Sequence, residues 1–223
     1  MTVASQEMVS PSALLLVVLG WLLGTLSPSV VAAIARPTRR RELAQVIAAE
    51  LQDLRLRAAM ILVKMRGRVG HMDQAVLDLV RPIMLAESDD PGDRAYGEAT
   101  RKLLERGDAV YIAAQNQLSK SSVGPYPIPY EAPFLAAHLA DLSVFPNRDQ
   151  AAFLRVWTEL KMFNEKIAYV QRCHDRTFDN LSEENHELNR ANLEAGLGHL
   201  GDRAEMLIKA INRVVGPSGS SLA

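Results

Sequence analysis

Two stretches near the C-terminus repeat apolar residues at alternating intervals of three and four, and this periodicity leaves the chain little choice of fold. Phe153, Val156, Leu160, Phe163, Ile167, Val170 and His174 form one seam; Leu193, Leu197, Leu200, Ala204, Leu207, Ile211 and Val214 form the other. Such spacing gathers residues on one side of an α-helix but scatters them over both faces of a strand, so each stretch predicts a long helix with one buried face. Trp157 broadens the first face. The four residues from Asp179 to Ser182 leave room only for a turn, so the two helices pack antiparallel as a C-terminal hairpin.

The same rhythm runs through Ile47, Leu51, Leu54, Ala58, Ile61 and Met65, with Leu43, Val46 and Leu62 widening the stripe. A wide stripe suits burial in a helical bundle better than the narrow seam of a two-stranded coiled coil. Gly67 and Gly70 predict the end of that helix, and Asp73 to Leu85 a shorter one interrupted at Pro82. After a turn at Asp89-Asp90-Pro91-Gly92, one helix is expected from Asp93 to Leu118. It buries Ala99, Leu103, Val110, Ala114 and Leu118, and Gly107 is its weak point. Pro125, Pro127, Pro129 and Pro133 then impose an extended loop. Tyr126, Tyr130 and Phe134 make this loop unusually apolar, so it either packs back on the bundle or offers a strip for a protein partner. A short helix from Pro133 to Ser143 follows, and Pro146, Asn147 and Gln150 predict a side-chain-capped start to the first long helix. No run alternates in the manner of a strand, so the fold class is all-α: residues 36–215 form one helical domain and 216–223 a disordered tail.

The N-terminal part obeys a different rule. No charged residue occurs between Met8 and Ala35, and the segment from Ala13 to Ala35 as a helix is about 35 Å long, enough to span a bilayer. Residues 12–35 are therefore expected as a single transmembrane helix after a short extracytoplasmic leader, 1–11, with Pro28 tolerated as a kink. The leader carries Glu7 and no basic residue, unlike a secretory signal, whereas Arg36, Arg39, Arg40 and Arg41 crowd the far end. This asymmetry places the N-terminus outside and the main domain in the cytoplasm of a bacterial inner membrane, with those four arginines beside anionic headgroups of the lipid bilayer. Gly20 and Gly24 make a GxxxG stripe along which two such helices could approach as a homodimer.

Charge narrows the function classes. The 25 basic and 26 acidic side chains give a formal net charge of −1, without the global positive field of a nucleic-acid binder. The basic excess is local: nine basic residues stand against Glu42, Glu50 and Asp53 between Arg36 and Arg68. The one cysteine, Cys173, excludes an intrachain disulfide.

Motifs for chemistry are few. Gly196-Leu197-Gly198-His199-Leu200-Gly201 matches the dinucleotide pattern GxGxxG letter for letter but lacks the preceding strand, so its glycines are expected as close-approach or weakened helix positions. Closing the hairpin at Asp179 to Ser182 brings His174 opposite Glu187 and Asp175 opposite His186. Glu183 and His186 share the ExxH spacing of carboxylate-bridged metal sites, so His174, Glu183, His186 and Glu187 are the candidate metal ligands. Cys173 sits beside His174, but neighbours on a helix point apart and do not form a nucleophile–base pair. The leading expectation is a single-pass membrane-anchored interaction module (adaptor, assembly factor or regulator) that binds an unidentified protein partner and needs no cofactor or catalytic residue. The alternative is a membrane-tethered helical enzyme or ligand or metal sensor working at the tip around His174 and His186.

Overall fold

A computed structural model describes residues 11–86, 90–121, 127–179 and 182–216; the side chains of 11–14, 17, 23, 25–36 and 118–121 lie outside that description. The helices are α1 (Pro11–Arg68), α2 (Gln74–Met84), α3 (Pro91–Leu104), α4 (Asp108–Ser121), α5 (Pro133–Ala137), α6 (Asn147–Asp175) and α7 (Glu183–Val215). Two 3-10 segments, Leu139–Val144 and Arg176–Phe178, complete them, and no strand occurs among the described residues. The fold is all-α. The chain divides into two compact units, Met1–Leu43 and Ala44–Ala223.

In the first unit the backbone stays helical from Pro11 onward, through position 28. Leu15, Leu16, Val18, Leu19, Trp21 and Leu22 are all exposed. Among the described residues, no helix is long and apolar enough to cross a membrane. Most side chains between Ala13 and Ala35, the Arg36 side chain and residues 1–10 of the 1–11 leader fall outside those residues. Arg39 and Arg41 are exposed and Arg40 half-buried.

The second unit is built as its periodicity predicts where the seams are long. Ile47, Leu51, Leu54, Ala58, Ile61, Leu62 and Met65 are buried on α1, but Val46 is 46% exposed and does not widen that stripe. Phe153, Val156, Leu160, Phe163, Ile167 and Val170 on α6 are buried, and so are Leu197 to Val214 of the α7 seam. His174, Trp157 and Leu193, at the margins of these faces, are only half-buried. α1 stops where Gly70 takes a φ of 73°. There the His71 amide donates to the Arg66 carbonyl at 2.8 Å and the Gly70 amide to Gly67 at 3.1 Å, the crossed pair of a Schellman cap. Asp73 caps α2 through the Val76 amide, and Pro82 is tolerated in its last turn.

Three expectations are corrected. The Asp-Pro-Gly turn is the start of α3 itself, since the Asp90 carboxylate accepts from the amides of Gly92 and Asp93, with Pro91 in the first turn. The single helix from Asp93 to Leu118 is two, α3 and α4, because Gly107 adopts a φ of 110°, which ends one helix and resets the phase of the next. The buried positions are therefore Gly97, Thr100 and Tyr111, whereas Ala99 and Val110 are exposed and Leu103 and Ala114 half-buried; the side chain of Leu118 is outside the description. Finally, α6 starts at Asn147 without a side-chain cap. Gln150 instead donates back to the Phe145 carbonyl at 2.7 Å.

Candidate functional site

The hairpin tip is where sequence places the candidate ligands. α6 runs into a 3-10 turn at Arg176–Phe178, which the Thr177 hydroxyl steadies by donating to the His174 carbonyl at 2.6 Å. Ser182 caps α7. The cross-helix register is set by Asn189, whose amide donates to the Cys173 carbonyl at 2.8 Å. The His174 ring meets Phe178 edge-on at 5.2 Å. Cys173 is buried, and its thiol, close to Tyr169, holds that phenol above its ordinary pKa. Glu183 and Glu187 are exposed and His186 half-buried. Among the described residues, no group of three or more His, Cys, Asp or Glu side chains is placed to hold a metal ion. Asn180 and Leu181, at the turn itself, lie outside those residues.

The proline loop is tied to the bundle by amides. Asn164 of α6 accepts from the Tyr130 amide at 2.9 Å and donates to the Tyr130 carbonyl at 2.6 Å, as a neighbouring strand would. Gln171 donates to the Pro127 carbonyl at 3.0 Å. The Glu50 carboxylate of α1 accepts from the amides of Phe134 and Leu135, both at 2.8 Å, and so caps α5 from another helix, where negative charge also meets the helix dipole. Tyr130 stacks over Phe163 with centroids 6.3 Å apart, and Phe134 packs on His138 at 4.4 Å. Both rings are thus partly spent on packing, and Ile128 is the large apolar side chain of the loop that faces solvent, 67% exposed. Tyr126 lies outside the described residues.

The glycines of the GxGxxG stretch differ among themselves. A Cβ on Gly196 would stand 3.1 Å from the Tyr169 ring, and one on Gly201 3.6 Å from the Arg66 side chain, so α6 and α1 approach α7 at these points. Gly198 has nothing within 4 Å. Over Gly201, Arg66 crosses to Asp202 at 2.8 Å and Glu205 at 3.1 Å. Arg55, buried at 4% exposure, donates to the Gly216 carbonyl at 2.9 Å and to Asn212, and so closes the C-terminal end of α7 with positive charge.

Smaller ties position α2 to α4. Asn116 clamps Met72 by both backbone groups, as Asn164 clamps Tyr130. Arg81 pairs with Asp108, and this bond, with that from Gln74, holds the Asp108 carboxyl below its ordinary pKa. Burial raises the hydroxyl pKa of both Tyr96 and Tyr111.

Sequence reasoning missed these amides. Their signal was the presence of Asn, a poor helix former, in mid-helix at positions 116, 164 and 189, where a long-range bond repays the lost propensity. It also missed that exposed large apolar side chains gather on the hairpin: Leu154, Met162, Phe178, Leu188 and Met206, with Phe178 79% and Leu188 61% exposed. No protein-family model, curated protein or solved structure matches the chain.

Proposed function

We propose that this chain is a single-pass membrane-anchored interaction module whose helical unit, Ala44 onward, works by contact with a protein partner in the cytoplasm. The observation that carries the anchor is the first part of α1, where Leu15, Leu16, Val18, Leu19, Trp21 and Leu22 are all exposed. A helix apolar all round needs a nonaqueous surrounding, and the uncharged run from Met8 to Ala35 extends that character to bilayer length. Arg36, Arg39, Arg40 and Arg41 then lie at the cytoplasmic face by the positive-inside rule, within reach of anionic headgroups. Gly20 and Gly24 supply a contact stripe for a second copy in the membrane. The reading of contact rather than catalysis is supported by the exposed apolar side chains of the hairpin, above all Phe178 and Leu188 at its tip.

One experiment tests both parts. Full-length protein is crosslinked mildly in native membranes, the membranes are washed at alkaline pH, and the retained chain is purified with whatever it carries. The expected result is retention together with a second protein in fixed ratio. Leu19→Arg combined with Leu22→Arg, each disfavouring insertion by about 3 kcal/mol, is expected to release the chain. Release of the unsubstituted chain by alkaline washing would refute the anchor, and recovery of this chain alone would refute the adaptor role.

A further inference from the structure

Arg203 of α7 directs one nitrogen, Nη1, at two sulfurs: Met162 Sδ on α6 at 3.7 Å and Met206 Sδ, one turn along α7, at 3.6 Å. The same nitrogen stands 3.8 Å from Glu159 Oε2, beyond hydrogen-bond distance. Glu159 is 6% exposed, its Oε2 has no hydrogen-bond partner, and Arg155 approaches its other oxygen only to 3.7 Å. A buried carboxylate is thus balanced by two arginines that do not bond to it, and thioethers hold one of them in place. Both residues are partly exposed, Met162 at 38% and Met206 at 40%, whereas Met65, Met72 and Met84 are at most 3% exposed.

We propose that Met162 and Met206 form a sulfoxidation site that controls the Glu159–Arg203 pair. A peroxide is the oxidant. Its O–O bond breaks, one oxygen bonds to sulfur, the other leaves as water, and the thioether loses two electrons. Thioether sulfur is a weak acceptor, whereas a sulfoxide oxygen is polar and accepts strongly from a guanidinium. Arg203 follows the new acceptor outward, and Glu159 keeps its burial but loses part of its compensating charge. A buried carboxylate stripped of a partner destabilises the packing around it, here the α6–α7 contact. Sulfoxide reductases, drawing on thiols, reverse the change.

The test is peroxide treatment of the full-length protein, with each methionine followed by peptide mass and stability by thermal unfolding. Met162 and Met206 are expected to gain oxygen before Met65, Met72 and Met84, and Tm to fall by about 4 °C. Sulfoxide reductase is expected to restore it. Met162→Leu with Met206→Leu keeps the apolar packing and is expected to abolish the peroxide-induced fall. Glu159→Gln keeps the shape, removes the charge, and is expected to reduce the fall to less than half. Complete oxidation of Met162 and Met206 without a change in Tm would overturn the proposal, as would an undiminished fall in Glu159→Gln.

Discussion

Asn164 shows how much one side chain decides in this protein. Its amide bonds both backbone groups of Tyr130, at 2.9 and 2.6 Å, and among the described residues no other bond to either group is seen. Removing the amide leaves a partly buried N–H and C=O unpaired, at about 2 kcal/mol. Asn164→Ala is therefore expected to lower the Tm by about 6 °C. Asn164→Asp, which keeps one acceptor but sets a negative charge against the Tyr130 carbonyl, should do no better at neutral pH. A Tm within one degree or so of the parent in both variants, by thermal unfolding, would show that the loop is held by Tyr130 stacking on Phe163 instead. The seam residues were legible because a buried apolar side chain is specified by its neighbours three and four positions away. Asn164, Asn116 and Glu50 were not, because each is specified by a partner more than thirty positions away in the chain.

At the scale of elements, long periodic segments were readable and short ones were not. α6 and α7 carry six or more seam positions each, so one misfit leaves the phase intact. α3 and α4 carry too few, and the φ of 110° at Gly107 turns the chain between them, so a continuous face drawn through Ala99, Leu103 and Val110 runs out of register with the buried Thr100 and Tyr111. Only a residue without a Cβ adopts that angle without strain. Gly107→Ala is expected to cost about 1–2 kcal/mol in denaturant unfolding. Gly198→Ala, in the interior of α7 with nothing within 4 Å of the added Cβ, is expected to gain about 0.5–1 kcal/mol. Equal effects at the two positions would mean that the break between α3 and α4 is made by something other than the glycine.

Over the whole molecule, the chain divides into two compact units, and under the proposed membrane reading this division has a sharp consequence. The unit from Ala44 onward owes its stability to seams buried within itself and to ties such as Arg66 to Asp202 and Arg55 to Gly216. The unit before it offers Gly20 and Gly24, around which a Cβ would meet nothing within 4 Å. The metal reading of the tip shows the opposite relation between pattern and site: the pairing of α6 with α7 was legible, yet ligand placement depends on side-chain direction, which periodicity at an exposed tip does not define. For the proposed glycine stripe, direction is not at issue, because the contact would be backbone against backbone. Gly24→Leu fills that stripe with a branched side chain and leaves the sequence of the second unit unchanged. The expected outcome is loss of self-association in a membrane two-hybrid or crosslinking assay, with the thermal transition of the helical unit in detergent unchanged. Persistence of the dimer with an unchanged transition would move self-association away from Gly20 and Gly24. A lowered transition would assign any loss of self-association to damage in the helical unit instead of to the glycine stripe.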